Sequence, residues 1–203
     1  MILEDFSRWD QATRRYPNAP RAYVRRGMAQ FKLGNIAESI ADFDRAEQLD
    51  ATITPYLWQR GLSYYYADRF EEGVKQFEID LTVNANDIEE TIWRYLCLAR
   101  GRGAAQASLL DVKNDPRLVM RSVYNLFAGA CTVDTVFSIG AQEGNRGRFY
   151  SFLYVGLYYE AIGKEAEARS AIGKAVKEFR SRYRTEDYMG YLAIVHQQVR
   201  GWL

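Results

Sequence analysis

Few residues in this chain could carry out covalent or metal chemistry. It has one histidine, His196, and two cysteines, Cys97 and Cys131. A lone imidazole with no Ser or Cys motif pointing to it makes neither a histidine metal site nor a nucleophile–base pair. Cys97 lies among Trp93, Leu96 and Leu98, and Cys131 follows Phe127 and Ala128. Both read as small core residues, not ligands or nucleophiles. Two cysteines cannot build a disulfide framework, and their scarcity leans toward a reducing compartment. Gly101-Arg102-Gly103 and Gly144-Asn145-Arg146-Gly147 follow no strand and lack a phosphate-cradling pattern. The expectation is therefore no enzyme, no metal, no cofactor and no small-molecule substrate. What remains is recognition chemistry. Lys174, Lys177, Arg180, Arg182 and Arg184 form a basic stripe whose first three members recur at i, i+3 and i+6. It reads as a solvated face, with an acidic partner, a lipid headgroup or RNA as the alternatives.

The composition fits a binding protein. Of 203 residues, 48% are hydrophobic and 14% aromatic, enough to bury a core and exclude disorder. Lys plus Arg total 27 against 26 Asp plus Glu, and this near balance argues against a dedicated nucleic-acid binder. No transmembrane segment is expected. The least charged stretch, Ser122 to Gln142, contains Asp134, Asn125, Gly129 and Gly140. The start, Met1 to Phe6, has neither the basic region nor the apolar run of a secretory leader. The expected location is soluble, in the cytoplasm, or in a plastid if a transit peptide has been removed.

The elements that position these residues show in an internal repeat. Gly27 and Gly61 share one offset with Phe43 and Phe77, with Trp9 and Phe43, and with Ala12 and Ala46. In the segment Pro20 to Asp50, Ala22, Tyr23, Gly27, Ala29, Phe31 and Leu33 mark a first helix, and Gly34-Asn35 ends it. Ile36, Ile40, Phe43, Ala46 and Leu49 then recur at helical spacing. The next unit copies this with Leu57, Gly61, Tyr64 and Tyr65, a turn at Asp68-Arg69, then Phe70, Val74, Phe77 and Leu81. Thr54-Pro55 opens it as N-cap and first helical residue. Asn86-Asp87 starts a helix carrying Ile92, Trp93 and Leu96, and Gly101 and Gly103 end it. A short helix follows from Ala104 to Val112, and Asp115-Pro116 starts the next. Thr132 to Ile139 is helical and Gly140 to Gly147 a loop. Phe149 to Phe179 is again regular, and Thr185 caps a last helix.

These residues resemble the tetratricopeptide repeat family, with its 34-residue helix–turn–helix unit. The resemblance implies an all-α, right-handed superhelical solenoid of helix–turn–helix repeats, with an irregular middle and a C-terminal capping helix. Residues 1–203 form one such domain. Residues 1–17 supply a second helix only, 20–51 and 54–85 are repeats, 86–147 are irregular, 149–180 are a repeat and 185–203 the cap. Ala51 and Ala85 depart from the family in replacing its closing Pro. The layout is also similar to the NlpI family of bacterial envelope lipoproteins, adaptors that deliver substrates to a protease. It shares with them the Trp93 helix after Asn86-Asp87. Around Trp58-Gln59-Arg60-Gly61 and Asp115-Pro116-Arg117 it resembles plastid-targeted repeat proteins of plants and algae.

The family resemblance implies that first helices line a concave face. Its ligand-facing positions map onto Val24, Met28 and Phe31, with Arg21 flanking, then Trp58, Leu62 and Tyr65, and Leu153 and Leu157 in the late repeat. Either these form an apolar groove for a peptide or helix, or they pack against this chain's own later helices. Some family members clamp a chain-terminal carboxylate with a Lys and an Asn. Val24 and Met28 stand there instead and cannot bond one. Arg26 and Arg60 are family framework positions, expected to make hydrogen bonds between helices. The first helix presents Ile2, Phe6 and Trp9 on an open side, to be covered by residues beyond this sequence or by a second copy in a symmetric dimer. The expected function is a non-enzymatic scaffold or adaptor for a protein or peptide. A structural subunit docking through the first helix is the alternative.

Overall fold

The computed structural model describes residues 2–112, 115–183 and 186–202, and its elements are helices. They are α1 (Ile2–Arg15), α2 (Pro20–Lys32), α3 (Ile36–Leu49), α4 (Trp58–Tyr66), α5 (Phe70–Asp80), α6 (Ile88–Arg102), α7 (Leu118–Phe127), α8 (Val133–Gln142), α9 (Gly144–Ala161), α10 (Glu165–Glu178) and α11 (Tyr188–Val199). A 3-10 turn, Ala51–Tyr56, precedes α4, and a π-helical turn, Phe179–Tyr183, extends α10. From α1 to α5 and from α6 to α11, consecutive helices pack against one another, so the fold is all-α with tetratricopeptide-like helix pairs. The contacts group the chain into two compact units, Met1–Ala85 and Asn86–Leu203.

In the first unit the helix pairs close where side chains are smallest. A Cβ added to Gly61 would lie 2.6 Å from the Phe77 ring, so only glycine lets α4 and α5 meet around that phenyl group. Gly27 holds the matching place beside Phe43 and the Ser39 carbonyl. The turns expected after α2 and α4 form, with Gly34 and Asp68 in the left-handed region.

Two arginines tie the helices laterally. The Arg26 guanidinium on α2 donates to both Asp42 carboxylate oxygens on α3, at 2.8 and 2.6 Å, and its Nη1 reaches Asp10 and Thr13 on α1. Arg60 on α4 donates through Nε to Gln76 on α5 at 2.8 Å, and through its Nη atoms to Asp44 and Glu47 on α3. The two sets keep one register: partners lie 16 and 13 residues before each arginine and 16 after it. Each guanidinium thus joins three successive helices, the framework role expected from the sequence.

The second unit is built around α9, which contacts α6, α7, α8 and α10. Leu153, Tyr154, Val155 and Leu157 are therefore fully buried. The Tyr154 hydroxyl donates to Glu89 on α6 at 2.8 Å, and Arg117 joins Glu89 to Asp115. Several local expectations change here. Asp87 does cap α6, accepting from the Glu89 and Glu90 amides. Asp115-Pro116 does not cap α7. Asp115 is buried against Arg117, and the Leu118 and Val119 amides donate to the Glu143 carboxylate instead, at 3.1 Å each. The Ala104–Val112 helix is only a 3-10 turn, Ala104–Gln106. The Gly140–Gly147 loop is absent, because α8 runs to Gln142 and α9 starts at Gly144, whose φ of 72° makes the corner. Thr185 and Arg184 lie outside the described residues.

Arg60 is 5% exposed at its side chain and Arg26 22%. Breaking an ion pair is costliest where the charge left behind is buried. Arg26→Met strands Asp42, 7% exposed at its side chain, and should lower the unfolding free energy by about 3 kcal/mol, whereas Arg60→Met leaves Asp44 and Glu47 39% and 34% exposed and should cost less than half of that. Urea denaturation of both variants checks the order.

Candidate functional site

The sequence-derived binding residues separate into two groups. Phe31, Leu62, Tyr65, Leu153 and Leu157 are fully buried and touch no solvent, so they are core and not groove lining. The reason is local. Phe31 and Tyr65 sit at the ends of α2 and α4, where rings converge: Phe31 lies 5.7 Å from Tyr66, and Tyr65 lies 5.2 Å from Tyr66 and 5.9 Å from Phe70. Leu153 and Leu157 are enclosed by the four helices around α9. Arg21, Val24 and Met28 remain accessible. So does Trp58 in part, but Trp58 does not share their cavity.

Arg21, Val24 and Met28 line a groove of about 450 Å³ between α2 and the Ala51–Tyr56 turn, together with Arg25, Ile53, Tyr56, Leu57 and Gln59. The floor is apolar, with Val24, Met28, Ile53 and Leu57, and Tyr56 stands at the rim, 63% exposed. Gln59 approaches Met28 from α4, its amide nitrogen 4.0 Å from the thioether sulfur.

The groove's outer wall is the 3-10 turn, whose last residues, Pro55 and Tyr56, are expected from the sequence to begin a helix. Thr54 does not cap α4. Its hydroxyl donates to Glu47 at 2.7 Å and to the Ala51 carbonyl at 2.8 Å, and α4 begins only at Trp58. Asp50 caps the turn instead, accepting from the Thr52 amide and hydroxyl. That Asx-type signal, Asp50 two residues before Thr52, was legible in the sequence.

The wall is fastened to the Arg60 clamp. Gln76 takes the Arg60 Nε proton on its oxygen. It donates with its nitrogen to the Thr54 carbonyl at 2.9 Å and to Asp80 at 2.7 Å. Glu47 accepts from both Arg60 and Thr54, and the Arg60 guanidinium holds its carboxyl below the usual range. Asp80 ends the chain of bonds. It is fully buried, no hydrogen bond among the described residues reaches its Oδ2, and burial pushes its carboxyl up to about 7.

His196 is fully buried, 5.1 Å from the Trp202 ring, and burial pushes it down to about 4, so it is neutral at pH 7. Cys97 is in the core. Cys131 lies half-exposed between α7 and α8, its thiol 3.3 Å from the Ser122 carbonyl, and burial raises its pKa. Ile2, Phe6 and Trp9 lie half-buried on α1, where the Trp9 indole donates to Asp5, and Leu3 is 70% exposed. No helix among the described residues is long and apolar enough to cross a membrane.

Residues 20–53 match the family described as Tetratricopeptide repeat. The match spans α2, α3 and the start of the 3-10 turn, which together supply much of the groove. The chain is also similar to a Hsp70-Hsp90 organizing protein of Triticum aestivum, 26% identical over 86 residues. That alignment covers 42% of this chain and 15% of the relative's length.

The Asp80 shift has a definite sign. The folded carboxyl keeps its proton to about 7, while the unfolded one loses it near 3.8, so the folded state binds the proton more tightly. Stability should fall as pH rises between those two values, by on the order of a few kcal/mol, and level off above. Asp80→Asn keeps an acceptor for Gln76 and should flatten this slope in denaturation curves taken across the range.

Proposed function

We propose that this chain is a non-enzymatic protein-interaction adaptor that receives a peptide or helix of a partner in the groove between α2 and the Ala51–Tyr56 turn. The observation that carries the reading is an apolar floor, the part-exposed Val24, Met28 and Ile53 over the buried Leu57, in a cavity of about 450 Å³. A groove of this size and lining suits one or two large side chains. Each contributes about 1.5–3 kcal/mol on burial, which supports micromolar binding once ordering costs are subtracted. The match to the repeat family and the likeness to an organizing protein support the same role. Val24 and Met28 occupy the places where the resembled family sets a carboxylate clamp, so a chain terminus is not the feature recognised here.

Leu3, 70% exposed beside Phe6 on α1, favours a second reading, in which α1 docks onto another subunit. Placing charge in the groove separates the two. Val24→Asp with Met28→Glu should reduce partner capture from native extract at least about tenfold, since two apolar anchors are lost. Helicity should be unchanged, because neither residue is in the core. Capture at the wild-type level from that variant, together with loss from Leu3→Asp, would transfer the function to α1.

A further inference from the structure

The groove has a charge as well as an apolar floor. Residues 11–37 contain Arg14, Arg15, Arg21, Arg25, Arg26 and Lys32 and not one Asp or Glu. Three of these six cations have structural engagements. Arg14 pairs with Asp10 at 2.8 Å, Arg15 lies over the Tyr16 ring, and Arg26 is the three-helix clamp. Arg21 and Arg25 differ. Both are exposed, both line the groove, and neither forms an ion pair among the described residues.

They stand four residues apart on α2, so their side chains project from one face roughly 5–6 Å apart at Cβ. Their placement also works against helix stability. Pro20 starts α2, no side chain caps its first amides, and its first turn holds no acid. An arginine there meets the positive end of the helix dipole, an arrangement that isolated helices disfavour. The positive end, Arg21 and Arg25 therefore add at one edge of the cavity. The acid on the opposite wall, Asp50, is engaged within its own turn, accepting from the Thr52 amide and hydroxyl.

We infer that the groove takes an acidic amphipathic helix of a partner protein, with two carboxylates one turn apart facing Arg21 and Arg25 and an apolar side chain entering between Met28, Ile53 and Leu57. This rests on the groove reading above and adds the partner's chemistry to it. An oligonucleotide would satisfy the two cations and leave the apolar floor uncovered, so a protein segment fits both features better. Recognition is by internal side chains and needs no free chain end.

The test uses the full chain and a fluorescent amphipathic peptide, acetylated and amidated, with Glu at i and i+4 and Leu on the adjoining face. A second peptide carries Gln at both Glu positions. Anisotropy should show the Glu peptide binding more tightly than the Gln peptide by roughly twofold to thirtyfold, the worth of two rim ion pairs. Arg21→Gln with Arg25→Gln should weaken the Glu peptide by a similar factor and leave the Gln peptide unchanged, which isolates the pairing. The preference should shrink as salt is raised. Equal binding of both peptides, abolished by Met28→Glu, would overturn the charge assignment and leave the groove reading intact. Failure of both peptides to bind would overturn both. A uridine oligonucleotide that binds more tightly than the Glu peptide and requires Arg21 and Arg25 would assign the edge to RNA and end the proposal.

Discussion

The first unit depends on a guanidinium bound among three helices in each repeat. Apolar side chains such as Phe43 and Phe77 give the helix pairs their cohesion, but the hydrophobic effect itself carries no direction and leaves some freedom of orientation. Arg26 and Arg60 remove that freedom, because a planar fork with fixed donors accepts its partners in one geometry only. Both arginines precede the glycine that lets the helices approach, so close contact and lateral bonding occur at the same level of the stack. The partners vary in type: Asp10, Thr13 and Asp42 in one set become Asp44, Glu47 and Gln76 in the other. What repeats is an acceptor at each position.

The groove follows from this frame. Its outer wall has no helical ladder of its own to hold it, only a short 3-10 turn. Thr54 is the point of attachment, through its carbonyl to Gln76 and its hydroxyl to Glu47, and both of those residues hold Arg60. A surface turn with rigid anchors can present Ile53 and Tyr56 in a lasting arrangement. This preorganisation lowers the ordering cost of binding. The frame that fixes the helices thus also fixes the groove proposed above for recognition.

Much of the fold was legible because helical periodicity and small residues at crossings are local signals. Gly27, Gly61, Phe43 and Phe77 marked the pairs, and Arg26 and Arg60 marked the bonds between them. The positions expected to line a groove coincide with the accessible face only in part. The spacing that put Val24 and Met28 on the open side of α2 also put Phe31 there. One further turn along, however, the face meets Tyr66 and is closed. Spacing assigns a face of a helix but does not say how far along it a neighbour reaches. The same gap explains Leu153 and Leu157, since nothing local in the sequence announces that α9 is enclosed by four helices. The turn at Thr54-Pro55 misled for another reason. A hydroxyl before a proline suits a helix start, but Glu47 drew that hydroxyl into a tertiary bond.

The Glu143 carboxylate bears on the order of events when the second unit forms. It closes the first turn of α7 from 25 residues downstream, whereas Asp87 closes α6 from the adjoining residue. The amides at the start of α7 therefore have no local acceptor until the corner between α8 and α9 has been made. α6 carries its own capping acceptor, whereas the opening turn of α7 gains its acceptor only with that corner in place. This couples α7, α8 and α9 into one cooperative block.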